Sequence, residues 1–113
     1  MLGDTFERRK YINFNTLYNT RKTYFDRARD EGIVLHIIPG NHDTYFKNTN
    51  EVNSPRLLLN EYENIIQYHS VSDIKMGNAT ICFVPWITKE NEDEFVKRMG
   101  ESNADICLGH FEF

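Results

Sequence analysis

The turn at residues 39–43, which reads Pro-Gly-Asn-His-Asp, constrains the fold more than any other stretch of the chain. It follows an apolar, β-favouring run at 33–38, which predicts a buried strand. Pro39 and Gly40 end that strand, and Gly40 also lets the backbone turn sharply and leaves room for a ligand. Such a turn places its three polar side chains at the carboxyl edge of a sheet, where α/β proteins hold their sites.

Helical and strand-like patterns alternate along the chain, which indicates an α/β layer structure. Apolar residues recur at helical spacing over 11–29, and Gly32 is the expected end of that helix. We predict that the aromatic residues of this helix and the two cysteines, Cys82 and Cys107, belong to the core. A short helix is predicted from Ser54, its cap, through Pro55 at its first position to about 62, and a second helix is predicted at 89–99. Strands are predicted at 65–68, 71–76, 79–84 and 105–108, with a turn at Gly77-Asn78.

The composition is that of an ordinary globular protein, with 40% hydrophobic and 27% charged residues. A formal net charge of −4 argues against a bare nucleic-acid-binding module, which is normally basic, but not against a metal-dependent enzyme. The apolar runs are too short to span a bilayer, and the N-terminus has no signal-peptide pattern. We therefore expect a cytoplasmic protein with no membrane partner.

Candidate ligands occur in three turns, each of which follows a strand-like segment. They are Asp4, then Asn41, His42 and Asp43, then His110. Their mixture of hard oxygen and imidazole nitrogen suits Mn, Fe or Zn better than Ca or Mg alone, and Asp4 could be the carboxylate that a two-metal site shares. Each motif alone also has a purely structural interpretation, because Asn and Asp favour turns and a single histidine is often just hydrogen-bonded.

The three turns resemble, in order, three sequence blocks of the calcineurin-like metallophosphoesterases. That family has the pattern DxH, GDxx, GNH(D/E), a His motif and GHxH; Gly3-Asp4 is similar to the second block, 40–43 to the third and Gly109-His110 to the fourth. The first and last blocks have no counterpart in this sequence. An alternative alignment takes Gly109-His110 as the start of the last block, with Glu112 in place of its second histidine.

A narrower resemblance is to the SbcD-type DNA exonucleases, including the phage recombination endonucleases. It is carried by residues 2–9, 38–46 and 108–112, and Val-Pro-Trp at 84–86 after a strand agrees with it. The resemblance covers nearly the whole chain. It implies a layered α/β/β/α sandwich, of which residues 1–113 would be the central segment of a single domain, truncated at both ends.

The resemblance also implies a mechanism of phosphodiester hydrolysis with two divalent metal ions, Mn first and Mg, Fe or Zn as alternatives. Asp4 would bridge the two ions, and Asn41 and His110 would bind the second one. His42 would lie near the scissile phosphate as an acid or transition-state stabiliser, with Asp43 orienting its ring, and a metal-bound hydroxide would attack phosphorus.

The partners that the resemblance implies are DNA, an SbcC-type ATPase subunit and a second copy of the chain in a homodimer. Arg8, Arg9 and Tyr45 would contact the substrate, although a basic run such as 8–10 is by default a solvated helix start. If the gene is phage-encoded, the protein would work in the host cytoplasm. Two other histidines are expected to have no catalytic role: His36 is predicted to pack inside a strand and His69 to be exposed.

Two other functions remain open at this level. One is a general calcineurin-like phosphatase or nucleotide phosphodiesterase, and the other is a non-catalytic scaffold domain. We expect the isolated 113-residue segment to be poorly soluble, to bind metal weakly and to be inactive, because missing strands would leave unpaired sheet edges and exposed apolar faces.

Overall fold

A computed structural model of the chain describes residues 1–6, 11–44 and 53–111, which form a mixed α/β structure, as predicted. The four-layer sandwich stays a prediction. Arg8, Arg9 and Tyr45, the predicted substrate contacts, lie outside the described residues, as does Glu112. The described elements are α1 (Phe14–Thr20), a π-helical turn (Arg21–Phe25), α2 (Asp26–Asp30), β1 (Leu35–Ile37), α3 (Ser54–Leu58), β2 (Ile65–Gln67), β3 (Ser72–Met76), β4 (Ala79–Val84), α4 (Glu92–Glu101) and β5 (Ile106–Gly109).

The first helix runs without a break from α1 through the π turn to α2, and both of its ends are capped by local sequence. Asn13 caps its start by accepting a hydrogen bond from the backbone of Asn15 at 2.8 Å. Gly32 has φ +71°, a conformation that glycine adopts without strain. Its N–H bonds the Arg29 carbonyl, and the next N–H bonds the carbonyl of Ala28, which completes a Schellman motif. Gly32 therefore ends the helix, as predicted.

The prediction that the aromatic residues of this helix belong to the core is correct for Phe25 and wrong for the others. Phe25 is fully buried against Phe6 and Tyr62, with ring centroids 6.4 and 6.0 Å away. Phe14 and Tyr18 are 89% and 60% exposed, so for them the prediction is wrong. An amphipathic helix buries one stripe of its surface, and a near-continuous aromatic spacing does not reveal which stripe that is.

The described strands form two small sheets, and their directions bring several carboxyl ends together. β1 and β2 are parallel, and a parallel bridge between Leu2 and Ile38 extends this sheet. β3 and β4 form the predicted hairpin, and β5 joins β4 in parallel, with Val84 opposite Gly109.

The two sheets share a buried cluster that includes Ile38, Tyr68 and Phe83. His36 packs here too: its ring stacks on those of Tyr68 and Phe83 at 5.9 and 5.8 Å, and its Nδ1 lies 2.8 Å from the Tyr68 hydroxyl. The prediction that His36 packs within a strand is confirmed.

A further cluster lies between α4 and β4, where Cys82 and Phe95 are buried. Cys107, the partner of Cys82 in the parallel register, is exposed, so the core prediction is right for Cys82 and wrong for Cys107. The reason is position: among the described strands, β5 is at the edge of its sheet and β4 is at the centre.

The bounds of several elements differ from the sequence prediction, those of α3 and α4 among them. The cap of α3 is Asn53, whose side chain accepts a hydrogen bond from the Arg56 backbone at 2.9 Å, and the helix ends at Leu58. Helix α4 begins at Glu92, because Asn91 instead accepts a hydrogen bond from the Thr88 backbone and closes a turn before it. None of the described helices is both long and apolar enough to cross a bilayer.

Candidate active site

The three predicted turns meet at one edge of the structure. Because Leu2 pairs with Ile38 in parallel, the turn that begins at Gly3 lies beside the turn at 39–43. Residues after β4 reach the same place, where the Trp86 N–H donates to the Pro39 carbonyl at 3.0 Å. His110 follows β5 directly, so parallel strand ends position every one of these segments.

The His110 ring joins the three turns through both of its nitrogens. Its Nδ1 lies 2.9 Å from the Leu2 carbonyl oxygen, which can only accept, so Nδ1 carries a proton. Its Nε2 lies 3.0 Å from Oδ1 of Asn41 and 3.4 Å from Oδ2 of Asp4. In the neutral ring, Nε2 therefore aims a lone pair at an amide oxygen and a carboxylate oxygen.

This arrangement of donors has two chemical interpretations. A protonated His110 ring would donate from Nε2 to Asp4 or Asn41, as an ion pair or a hydrogen bond. A cation would instead bind all three atoms, and a histidine whose other nitrogen donates to a backbone carbonyl is the usual arrangement in metal sites. Among the described residues no group of three or more His, Cys, Asp and Glu side chains could hold a metal; here the third donor is the Asn41 amide.

Asp4 has an unusual backbone conformation, and its two carboxylate oxygens face different partners. Its φ is +49° and that of Gly3 is +85°, which makes a tight left-handed turn. A non-glycine residue in this region costs on the order of 1 kcal/mol, and aspartate tolerates it better than most. Oδ1 of Asp4 accepts the His42 N–H at 2.8 Å, while Oδ2 faces His110. The carboxylate therefore holds the 39–43 turn and remains directed at the imidazole.

Two glycines allow the turns to approach this closely. A Cβ added at Gly40 would lie 2.9 Å from the Gly3 Cα and would also collide with the Asp4 backbone and carboxylate. A Cβ added at Gly3 would lie 2.6 Å from Cγ of His110. The contact between Asp4, His110 and the 39–43 turn therefore depends on the absence of side chains at both positions.

Asp43 is fully buried beneath this contact and binds backbone amides. Its carboxylate accepts from the N–H groups of Thr5 at 3.0 Å, Phe6 at 2.7 Å and Gly40 at 3.0 Å. Burial raises the pKa of Asp43, and the nearby charge of Asp4 raises it further. The three N–H donors lower the pKa, but the net shift is upward. Asp43 thus ties the turn after Leu2 to the turn after β1.

His42 lies at the solvent-facing side of the same turn. It is exposed, and its backbone N–H is held by Asp4. That position leaves the ring accessible to a substrate. The predicted orientation of this ring by Asp43 stays a prediction, since the Asp43 hydrogen bonds described above all run to backbone amides.

The chain is similar to an exonuclease subunit. It is 34% identical over 110 residues to the protein named Exonuclease subunit 1 of Enterobacteria phage T4, and the match covers 97% of this chain and 32% of that protein. The chain therefore spans about a third of the length of this relative. No family model matches the chain, and no solved structure matches it significantly.

The remaining histidine, His69, follows β2 and contacts Asn53. His69 is half-buried, so the prediction that it is exposed is wrong, and its Nδ1 accepts from the Asn53 amide at 3.4 Å. Burial lowers the pKa of His69, with a smaller contribution from Arg56. Sequence reasoning missed the roles of the Leu2 carbonyl and of the Thr5 and Phe6 amides; the only available signal was that these residues flank Gly3-Asp4.

Proposed function

We propose that the protein is a metal-dependent nuclease that hydrolyses DNA phosphodiester bonds. The observation that carries the proposal is the approach of Asp4, Asn41 and His110, three chemically suitable donors from three distant turns. The name of the phage relative supports nuclease activity in particular. A scaffold would have no need for an exposed histidine beside such a cluster.

The Asp4 carboxylate, the Asn41 amide oxygen and Nε2 of His110 would hold one divalent ion. This donor set fits Mn first, with Mg, Fe or Zn as alternatives. When bound, the ion would polarise the phosphate and make an attacking water more acidic. The resemblance implies a second ion that shares Asp4, whose remaining ligands would come from the family blocks without a counterpart in residues 1–113.

The other residues near the cluster would have separate roles, which follow from their positions. The Leu2 carbonyl keeps the His110 proton on Nδ1, which leaves Nε2 as the ligand atom. His42, exposed beside the cluster, would protonate the leaving oxygen or stabilise charge on the phosphate. Asp43 would act as a positioning residue, because it fixes the two turns that carry Asp4 and Asn41.

The proposed partners follow from the family resemblance and from the name of the phage relative. DNA is the expected substrate, and the word "subunit" in the relative's name is consistent with a complex, for which an SbcC-type ATPase subunit and a homodimer are our candidates. Arg8, Arg9 and Tyr45 remain candidates for DNA contacts. A role in recombination and repair, in the host cytoplasm if the gene is phage-encoded, completes the proposal.

The test is an assay of the full-length protein with Mn on linear DNA and on a phosphomonoester. We expect DNA cleavage that EDTA abolishes. Asn41→Ala should lower Mn affinity at least tenfold in calorimetry and lower cleavage with it, whereas the control Asn78→Ala, in the turn between β3 and β4, should change neither. Hydrolysis of the phosphomonoester alone would favour a general phosphatase, and no metal-dependent hydrolysis of either would favour the scaffold.

A further inference from the structure

Two basic residues, Arg56 and His69, are joined through the buried side chain of Asn53. Asn53 is 1% exposed, and its Oδ1 accepts the backbone N–H of Arg56 at 2.9 Å. Its amide nitrogen lies 3.4 Å from Nδ1 of His69. Because the amide oxygen is directed at the start of α3, the amide N–H is directed at the histidine, and one asparagine holds both basic residues.

The contact with Asn53 decides which nitrogen of His69 carries the proton. An amide nitrogen can only donate, so Nδ1 accepts and the proton of the neutral ring is on Nε2. Burial, and then the charge of Arg56, lower the pKa of His69, which keeps the ring neutral at pH 7. Nε2 has no hydrogen-bond partner among the described residues, so its N–H is a donor for another molecule.

Arg56 places a positive charge near this donor. It is exposed, and within the described part of the chain its guanidinium makes no ion pair. Its effect on the pKa of His69 shows that the charge acts on the imidazole. A guanidinium and a neutral N–H suit an anion that has several acceptor oxygens, and a phosphodiester is such an anion.

The pair lies at the sheet edge that carries the candidate active site. β1 and β2 are parallel neighbours, and their pairing continues to the point where the Tyr68 N–H donates to the Ile37 carbonyl at 2.9 Å. His69 follows at once and so leaves the sheet at the same end as the turn that contains Asp43. A second link is Ser54, the residue after Asn53, whose N–H donates to the Asp43 carbonyl at 2.7 Å.

We propose that Arg56 and His69 bind a backbone phosphate of the DNA, one that is not itself cleaved. The inference rests on the proposed nuclease function and adds a contact that positions its substrate. Arg56 would supply the charge and Nε2 of His69 a neutral hydrogen bond. Phosphate contacts carry no sequence information, so the site would hold DNA of any sequence.

The experiment measures binding of the full-length protein to a fluorescent DNA duplex in EDTA at pH 7.5, over a range of salt concentrations. Each phosphate neutralised by a cationic side chain releases counterions, which makes the logarithm of the affinity fall by about 0.9 per decade of salt. Arg56→Gln should bind about tenfold more weakly, with a slope shallower by about 0.9. Arg56→Lys keeps the charge and should keep the wild-type slope.

Two variants of His69 separate the hydrogen bond from the charge. His69→Phe removes the Nε2–H donor but no charge, so affinity should fall about threefold while the salt slope stays that of the wild type. His69→Gln can still accept from Asn53 and donate outward, and it should bind almost as well as the wild type. A changed slope in His69→Phe would overturn the role of His69 as a neutral donor.

A scan of the DNA identifies the phosphate. Each phosphate of one strand is replaced in turn by a neutral methylphosphonate. At one position the wild type should lose about tenfold in affinity, and Arg56→Gln should be insensitive to the replacement there. Arg27→Gln is the control and should match the wild type, because Glu31, 3.0 Å away, already balances the Arg27 charge. Thermal melting followed by circular dichroism checks that each variant is folded.

The outcomes distinguish this inference from the function on which it rests. If Arg56→Gln keeps the wild-type slope and the wild-type response to the scan while Mn-dependent cleavage is normal, the phosphate site is wrong and the nuclease proposal stands. If slope and scan change as expected but no metal supports cleavage, the phosphate site stands and the catalytic proposal fails. A full-length protein that binds no DNA overturns both.

Discussion

The Nε2 atom of His110 lies 3.0 Å from the Oδ1 atom of Asn41, although 69 residues separate them in the chain. The contact exists because each residue follows a strand, and those strands end at the same edge. The Leu2 carbonyl, 108 residues from His110, then decides which ring nitrogen faces Asn41. This geometry is the basis of the metal-site proposal.

The first prediction separates metal binding from chemistry. His42 is exposed, and its described link to Asp4 is through the backbone N–H. His42→Ala in the full-length protein should therefore retain Mn affinity in calorimetry while DNA cleavage falls by about a hundredfold, the usual effect of losing a general acid. Normal cleavage by this variant would remove His42 from the mechanism, and loss of Mn binding would make it a ligand.

The second prediction concerns the close contact of the turns. Gly40→Ala places a methyl group against Asp4 and Gly3, so we expect a loss of about 1–3 kcal/mol in unfolding free energy and at least tenfold weaker Mn binding. Gly100→Ala is the matched control: it lies in α4 with open space around it and should stabilise the protein by about 0.5–1 kcal/mol. Urea denaturation and calorimetry measure both. Unchanged Mn binding in Gly40→Ala would show that the metal site does not require the close contact between the turns at Gly3 and Gly40.

The third prediction tests Asp43 as a positioning residue. Asp43→Asn replaces one accepting oxygen with an NH₂ group that faces backbone N–H donors, so we expect a loss of about 2–4 kcal/mol of stability. Asp30→Asn, at an exposed residue paired with Arg29, should cost less than about 1 kcal/mol. Denaturant titration of both variants provides the comparison. Equal effects would show that the three amide contacts contribute little.

The fourth prediction is a pH dependence of stability that arises from His69. Burial lowers its pKa in the folded state, so the unfolded chain binds the proton more readily than the folded protein does. The contribution of His69 to stability should be fully present above its ordinary pKa of 6.5 and should decrease as the pH falls through the lowered value. Protonation would also remove the Nδ1 acceptor used by Asn53, and the Arg56 charge opposes it.

Denaturation curves at pH 7.5 and 5.5 test this directly. The wild type should lose more stability between the two values than His69→Gln, whose side chain does not titrate. Parallel losses in both proteins would assign the pH dependence to other groups.

The sequence by itself determined the local structure wherever one residue type decides a backbone conformation. Gly32 ends the first helix, and the turn at Gly77 joins β3 to β4. Pro39 and Gly40 end the strand that precedes them. The order of the three polar turns also predicted which residues would meet. The end of the helix, the hairpin turn and the end of the strand are decided within a few residues, where steric limits and hydrogen-bond capacity act on neighbours.

Only the tertiary structure decided the contacts that cross long distances. It assigned the Asp43 carboxylate to the amides of Thr5 and Phe6, 38 and 37 residues away, and it left Phe14 exposed while burying Phe25. The physical reason is the same in each case. A carboxylate or an aromatic ring finds the partner that the folded chain brings within a few ångströms, and no local pattern in the sequence states which partner that will be.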